Sequence, residues 1–345
     1  MKNNTHDLPS MLYADEQGDI YDHPYYRMAG FSGREPAAIG SDDLLPLPEF
    51  SKLFYMPGCP PVGLDPETGD YVMVSEAETE QGLSPCFGVA AFLEPGIVRT
   101  HLPAVDYGNK DYNLPMWAYT AVGFREDQYW ASGFVIEDNP RWDPRNYDDL
   151  DLVPAIEQYR KSHACGPLVE HLVQCATVNH CFAAHLVQCA TVNHCFAAKN
   201  LFLGRWEGPL PVSQACNASC LGCLSYQPEH LCEESHQRLA FRPSKEEIVT
   251  MTVAHLEQTP RAIMSFGQGC EGEPLTEYEL IAESVREIMR RTGKGTINLN
   301  TNGSWPERVQ RVAEAGLDSI RISLNSPREA FYRAYYRPRN YDFAD

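Results

Sequence analysis

Residues 262–274 read AIMSFGQGCEGEP, a short β-type run followed by a glycine-rich loop. Similar β-type runs occur at 209–213 (PLPVS), 296–300 (TINLN) and 319–325 (SIRISLN). Between these runs the sequence repeats a helix-start signal, Ser or Thr followed three residues later by Glu. Strands and helices that alternate through short loops are typical of βα units on a parallel sheet or barrel wall. The sequence from about residue 206 onward therefore predicts the α/β class.

Four such helix starts are present, and each is followed by a proline or glycine that predicts where its helix ends. The starts pair Ser244 with Glu247, Thr276 with Glu279, Ser304 with Glu307 and Ser326 with Glu329. The corresponding stops are Pro260, Gly293, Gly316 and Pro338. We expect a capping box at each start and about four βα units in all.

The unusual sequences of this region all follow the predicted strands. CNASCLGC (216–223) follows the first run, GQGCEGEPL (267–275) the second and NTNG (300–303) the third, while SLNS (323–326) spans the end of the fourth. Because the carboxyl ends of parallel strands meet at one edge of a sheet, ligands and chemistry collect there in α/β folds. The sequence therefore predicts one functional site built from all four segments.

Cys216, Cys220 and Cys223 are too few for a closed zinc site, which takes four ligands. A [4Fe–4S] cluster needs one thiolate for each iron that the protein holds, so three thiolates leave one iron open. A zinc site with Cys232 as fourth ligand is an alternative, although the Cys-x8-Cys spacing and the strand context fit it poorly. Cys270, in the second segment, is interpreted as an ordinary core thiol.

With this spacing the three cysteines resemble the Cys-x3-Cys-x2-Cys motif of the radical S-adenosylmethionine (radical SAM) enzymes. The resemblance covers about residues 206–345 and implies a [4Fe–4S] cluster, with SAM bound to its open iron. It also implies a barrel of βα units. In that family reductive cleavage of SAM gives a 5′-deoxyadenosyl radical, which abstracts hydrogen from the substrate.

Other positions match the family pattern. Gly272, Glu273 and Pro274 resemble the Gly-Gly-Glu-Pro motif, which by this resemblance receives the SAM amino group. The strand-end positions that would hold the SAM carboxylate and ribose are Asn302, Ser323 and Asn325. The glutamate could instead be a favourable charge at a helix N-terminus, and the strand-end residues could be plain turn residues. No catalytic side chain is assigned.

The sequence departs from the family pattern in three places. Gly222 stands where the family usually has an aromatic residue, so adenine packing would have to come partly from elsewhere. Glu271 replaces the first glycine of the Gly-Gly-Glu-Pro motif. The chain also ends at Asp345 after four βα units, whereas the family's barrel usually has six. We therefore expect a partial barrel whose C-terminal units are missing, in a truncated piece of a longer protein.

Residues 1–150 predict a separate, acidic, β-rich domain of unknown role. Short runs such as FGVAAFL and YWASGFVIE are broken by turn signals such as DPETGD, which is typical of irregular strands. Residues 151–205 predict a helical connector. We place the third domain, the radical SAM core, at 206–345.

The connector contains an exact tandem repeat, HLVQCATVNHCFAA at 171–184 and again at 185–198. Two undiverged copies do not make a solenoid, so we interpret them as a recent duplication or an assembly accident. Fourteen residues are close to four full helical turns, so a helix could absorb the extra copy. A metal site is the alternative, because His171 and Cys175 lie one helical turn apart, as do His185 and Cys189.

Charge and composition exclude some partners. Residues 1–160 hold 10 basic and 27 acidic residues, and the remainder hold 18 and 20, within a net charge of −19. An acidic front half argues against nonspecific nucleic-acid binding. We find no signal-peptide pattern and no long apolar segment, and the 12 cysteines fit a reducing compartment, so we expect a cytoplasmic protein without a membrane partner.

The function expected from the sequence is that of a radical SAM enzyme with an unknown small-molecule or peptide substrate. Activase-like and peptide- or cofactor-modifying members are alternatives within the family. An external electron donor of the flavodoxin or ferredoxin type would supply the electron that reduces the cluster. A different class would be a noncatalytic iron–sulfur protein, with a structural or redox-sensing cluster, or an inactive truncated fragment of such an enzyme.

Overall fold

The fold was analysed in a computed structural model of the chain. The structure describes residues 5–33, 35–48, 51–80, 82–93, 96–108, 118–137, 139–142, 151–163, 166–177, 195–227, 234 and 236–344. The described residues divide into two compact units, one up to residue 142 and one from residue 151 onward. None of the described helices is long and apolar enough to cross a membrane.

The first unit is built from short strands that pair in antiparallel fashion. Its strands are β1 Ser10–Ala14, β2 Ile20–Arg27, β3 Gly30–Ser32, β4 Glu35–Ala37, β5 Leu44–Pro46, β6 Leu53–Met56, β7 Val62–Leu64, β8 Tyr71–Met73, β9 Glu76–Thr79, β10 Gly82–Pro85, β11 Phe87–Phe92, β12 Ile97–Arg99, β13 Leu102–Pro103, β14 Tyr119–Arg125 and β15 Gln128–Val135. The main sheet runs β12-β15-β14-β11-β1-β2-β7-β8, with β5 and β6 paired to β15 and β11. The β-rich character predicted for this region is present in the described strands.

The second unit combines helices with a parallel sheet. Its elements are α1 Leu152–Ser162, α2 Pro167–Thr177, α3 Phe196–Phe202, β16 Glu207–Pro209, α4 Lys245–Gln258, β17 Ile263–Phe266, α5 Tyr278–Arg291, β18 Thr296–Thr301, α6 Pro306–Glu314, β19 Ser319–Ile322 and α7 Glu329–Tyr336. The strands lie in the order β16-β17-β18-β19, and all three pairings are parallel. Within the described residues they form an open sheet, not a closed barrel.

The strand predictions differ from the structure mainly at the first strand. The predicted run at 209–213 overlaps β16 only at Pro209, where the strand ends. One further ladder bond follows, from the Leu210 N–H to the Ser265 carbonyl. After that bond the chain turns into the cysteine loop, whose amide groups bind other partners. The runs at 262–266 and 296–300 match β17 and β18 to within one residue, and the last run is strand only as far as Ile322.

One of the four predicted capping boxes is present. The Ser244 hydroxyl accepts the Glu247 N–H, and the Glu247 carboxylate accepts the Ser244 N–H, at the start of α4. The other three are wrong because α5 and α6 begin one residue later than expected and α7 two residues later, each without a side-chain cap. Other contacts engage two of the hydroxyls instead: Thr276 donates to the Glu273 carbonyl, and Ser304 accepts from Asn217.

The helices predicted as a connector share a hydrophobic core with the parallel sheet. Leu168 and Leu172 of α2 and Leu201 of α3 belong to the same buried cluster as Met264 of β17 and Ile281 of α5. Fully burying such a side chain contributes about 1.5–3 kcal/mol, so α2 and α3 are integral to the second unit.

The described parts of the repeated segment, 171–177 and 195–198, do not belong to one continuous helix. Helix α2 ends at Thr177 in the first copy, and α3 begins at Phe196 in the second. The Cys195 N–H donates to the Cys175 carbonyl at 3.0 Å, whereas twenty residues of continuous helix would separate them by about 30 Å. The expectation that one helix absorbs the extra copy is therefore wrong. His185 and Cys189 lie outside the described residues.

Candidate active site

Glu273 joins the loop after β17 to the end of β18. Its Oε1 accepts the Leu275 N–H at 3.0 Å and the Thr301 hydroxyl, and its Oε2 accepts the Asn302 N–H at 2.9 Å. The side chain is buried, and this burial raises the pKa of Glu273 despite three donors that favour the charged form. Glu273 thus fixes two predicted site segments against each other.

The backbone before Glu273 lies directly against the loop that leads to the cysteines. The Gly272 N–H donates to the Ser213 carbonyl at 2.9 Å, and the Glu273 N–H donates to the Ala215 carbonyl at 2.8 Å. A Cβ on Gly272 would overlap the Ala215 carbonyl oxygen, so only glycine fits this position. The Gly-Glu-Pro element therefore positions the residue immediately before Cys216.

Glu271 has a structural role that the sequence did not reveal. Its Oε2 accepts the N–H groups of Val212 and Ser213, at 2.8 and 2.9 Å. Its Oε1 accepts those of Gly267 and Gln268, at 2.7 and 2.9 Å. Burial raises the pKa of Glu271 to about 7, although the four N–H donors oppose that shift. The residue that replaces the family's first glycine thus clips the ends of β16 and β17 together.

Asn302 contacts the cysteine loop through its side chain. Its Nδ2 donates to Asn217 Oδ1 at 2.7 Å, and its Oδ1 accepts the Ser304 N–H at 3.0 Å. Asn217 Nδ2 in turn donates to the Ser304 hydroxyl at 2.7 Å. Since Asn217 follows Cys216 directly, this network ties the first cysteine to the carboxyl end of β18.

The three cysteines of the motif lie on one loop, each partly exposed. Burial raises the pKa of Cys216, and it raises the pKa of Cys220 to about 12, with the neighbouring cysteines adding to the second shift. Arg238 Nη2 donates to Cys223 Sγ at 3.3 Å, and its Nε donates to the Ser225 hydroxyl. One cation therefore faces a group of thiols that gain from a positive charge nearby.

Residues 210–345, which contain every segment just described, match the family model of the Radical SAM superfamily. Over these residues the chain is similar to the radical SAM superfamily. Members of the superfamily use a [4Fe–4S] cluster and SAM. Neither a curated protein nor a solved structure matched the chain. The resemblance seen in the cysteine spacing is confirmed, and the subfamily is not identified.

A cluster and a single metal ion need different spacings of their cysteine ligands. Three ligands of one ion must crowd together, whereas thiolates on three different irons of a cubane stand farther apart. Among the described residues, the ligand atoms that all lie within 4.8 Å of one another belong to His171, Cys175 and Cys270, not to the cysteine loop. The cysteine loop thus has the thiol donors that a cluster needs. Cys232, the fourth ligand of the zinc alternative, lies outside the described residues.

The absence of a side chain at Gly222 makes room for a tyrosine of α7. A Cβ on Gly222 would collide with the Tyr335 hydroxyl. The Tyr335 and Tyr336 carbonyls also accept the N–H groups of Leu221 and Ser219, at 2.9 and 3.0 Å. The helix after β19 thus covers the cysteine loop and brings an aromatic ring to the position where the family usually has its own.

The remaining predicted radical SAM positions lie at the end of β19. The Ser323 N–H donates to the Thr301 carbonyl at 2.8 Å, while the side chains of Ser323 and Asn325 are exposed. The structure therefore brings Gly272, Glu273, Asn302 and the Cys216 end of the loop into one hydrogen-bonded network. Ser323 joins that network through its backbone.

Some residues that support the cysteine loop carried no recognisable signal in the sequence. Asn217 lies inside the cysteine motif, but its spacing is not diagnostic. Arg238 and Tyr335 reach the motif from distant segments. The sequence offered His171 and Cys175 as a possible metal pair but missed Cys270, and the ligand atoms of all three lie within 4.8 Å of one another. The interpretation of Cys270 as an isolated core thiol was incomplete.

Proposed function

We propose that this protein is a radical SAM enzyme in which Cys216, Cys220 and Cys223 hold a [4Fe–4S] cluster. The observation that supports this most is the hydrogen-bonded network that joins the cysteine loop to the Gly-Glu-Pro element and to the end of β18. Such preorganisation holds a cofactor site in fixed geometry. When bound, the two cofactors supply reductive cleavage of SAM to a 5′-deoxyadenosyl radical, which abstracts hydrogen from a substrate.

In this proposal Glu273 orients the backbone of the SAM-binding segment. Its carboxylate is engaged by Thr301, Leu275 and Asn302, so the loop after β17 is held rigid beside the cysteines. The side chains of Ser323 and Asn325, exposed at the end of β19, are proposed to contact the ribose and carboxylate of SAM. The main role proposed for Asn302 is to position Asn217, because its side-chain amide already binds the cysteine loop. Contact with SAM is a secondary role.

Arg238 is proposed to orient the Cys223 sulfur for cluster binding. The guanidinium donates to the sulfur at 3.3 Å and is oriented by Ser225, which itself donates to the Glu271 carbonyl. A hydrogen bond from a charged donor is stronger than one from a neutral donor, so it helps to hold the sulfur in one orientation.

Tyr335 is proposed to supply the aromatic surface that Gly222 lacks. Its ring is half-buried against the cysteine loop, and the loop leaves room for it because residue 222 has no side chain. We expect adenine to pack against this ring. An external electron donor of the flavodoxin or ferredoxin type, a small-molecule or peptide substrate, and a cytoplasmic location complete the proposal.

The test is release of 5′-deoxyadenosine by the anaerobically reconstituted chain with dithionite and SAM. We expect release above that of a matched Cys223→Ala protein treated identically. A noncatalytic iron–sulfur protein is the competing function, favoured by a fully loaded cluster that binds SAM yet releases no 5′-deoxyadenosine. Iron content and SAM binding are measured in the same samples, so failure to load is distinguished from failure to react.

A further inference from the structure

A second group of metal-binding side chains lies in the second unit, outside the cysteine loop. His171 and Cys175 extend from successive turns of α2, and Cys270 lies in the loop after β17. Cys175 Sγ lies 3.5 Å from His171 Nε2, and the ligand atoms of all three residues lie within 4.8 Å of one another. Cys270 and His171 are buried.

These distances are close to those of a single tetrahedral ion. With metal–sulfur and metal–nitrogen bonds of about 2.3 and 2.0 Å, a sulfur and a nitrogen ligand lie about 3.6 Å apart and two sulfurs about 3.8 Å. The distance of 3.5 Å from Cys175 Sγ to His171 Nε2 is already close to the first of these values. Since the Cys270 sulfur lies within 4.8 Å of both atoms, it would need to move by at most about 1 Å to reach tetrahedral spacing. Thiolate and imidazole ligands together favour zinc among the abundant divalent ions.

The backbone holds the group in place from three directions. The Cys195 N–H donates to the Cys175 carbonyl at 3.0 Å, and the Leu239 N–H donates to the Cys270 carbonyl at 2.8 Å. Cys270 also precedes Glu271, whose carboxylate binds four N–H groups. A site that is positioned before the metal arrives loses less free energy on binding.

We propose that His171, Cys175 and Cys270 bind one divalent ion of the zinc class, separate from the iron–sulfur cluster. The ion ties α2 to the segment that contains the Gly-Glu-Pro element. The fourth position takes water or another side chain, and Cys195 and His236 both lie beside Cys175.

Cobalt(II) is the probe, because cysteine ligation gives it a sulfur-to-cobalt charge-transfer band. The test protein is the full chain with Cys216, Cys220 and Cys223 changed to alanine, which removes the cluster site and makes the outcome independent of the proposed function. We expect one equivalent of Co²⁺ to bind, Zn²⁺ to displace it, and a further Cys270→Ala change to abolish the band. Cys86→Ser, in the first unit, is the matched control and should change nothing.

The repeat dictates how α2 is tested. Since His185 and Cys189 could replace their counterparts if the second copy occupied α2, the changes are made in pairs, His171→Ala with His185→Ala and Cys175→Ala with Cys189→Ala. Each pair should abolish the band. A band that survives in any folded variant of this set, judged by its thermal unfolding, overturns the proposal.

Two measurements need no change in the proposed ligands. Zinc X-ray absorption of the cluster-free chain should show two sulfurs at about 2.3 Å and at least one nitrogen at about 2.0 Å. A shell of oxygen alone or of four sulfurs overturns the assignment. Trypsin places the cysteines from residue 162 onward on peptides 162–199, 206–238 and 262–286, and Cys270 is the sole cysteine of the last peptide. A disulfide joining 162–199 to 262–286 in anaerobically purified protein would show a redox pair instead.

Discussion

The Tyr335 hydroxyl occupies the space that any side chain at Gly222 would need. The two residues belong to different segments, the cysteine loop and α7, and the backbone of α7 also accepts two N–H groups of that loop. Gly222 and Tyr335 therefore pack together as a pair, and the tyrosine supplies the aromatic ring that the cysteine loop itself lacks.

We expect Gly222→Ala to lower the free energy of unfolding by about 1–3 kcal/mol, the usual cost of overpacking. Tyr335→Phe removes the colliding hydroxyl, so the double variant should recover much of that loss. Chemical denaturation of the four proteins in a double-mutant cycle measures this coupling. Losses that simply add would show that the two residues do not share the space.

Iron binding tests the cysteine motif directly. Replacing Cys216, Cys220 or Cys223 singly by alanine should abolish the cluster, because each thiolate is the sole protein ligand of one iron. Reconstituted parent should contain about four irons per chain, measured by iron assay and visible absorption. Cys175→Ser and Cys189→Ser should keep all the iron, and full iron content in any of the three alanine variants would refute the assignment.

Glu271→Gln should destabilise the protein more than a change of the same size at the surface. The amide nitrogen donates a hydrogen bond and cannot accept one, so two buried N–H groups lose their acceptor at about 1–3 kcal/mol each. The matched control is Glu283→Gln, which removes an exposed ion pair with Lys245 worth less than about 1 kcal/mol. Equal unfolding free energies for the two variants would contradict the role of Glu271 in joining the segments that follow β16 and β17.

Buried His255 should make the second unit sensitive to acid. Burial lowers its pKa from 6.5 to about 4, although a hydrogen bond with the Arg205 backbone opposes this. The unfolded chain therefore takes up a proton below pH 6.5 that the folded chain resists until about pH 4, and stability falls as the pH falls through that window. Denaturation of the apoprotein should show a loss of up to about 1 kcal/mol per pH unit that His255→Leu lacks. Parallel curves for the two proteins would argue against this.

Local sequence patterns predicted the parallel sheet and its functional edge. They missed features that depend on contacts between side chains, namely two helix starts and one group of possible metal ligands. The β17 and β18 runs were recognisable because strand composition and flanking loops are local properties. The predicted caps at Thr276 and Ser304 do not form because their hydroxyls bind other groups. Thr276 binds the Glu273 carbonyl across a turn, and Ser304 binds Asn217, which is distant in the sequence. The grouping of Cys175 with Cys270 depends on how α2 packs against the sheet, which no local spacing encodes.

Deleting one copy of the repeat should leave the fold intact. Removal of any fourteen consecutive residues within 171–198 gives the same sequence, in which three residues, VNH, join Thr177 to the cysteine that begins CFAA. Since the Cys195 N–H already binds the Cys175 carbonyl, α2 and α3 can keep their positions across so short a connection. We expect the shortened protein to melt at or above the parent's temperature, because a shorter connection loses less entropy on closing. Differential scanning calorimetry measures this, and a decrease of more than about 5 °C, on the order of 1 kcal/mol or more, would show that the second copy contributes structure.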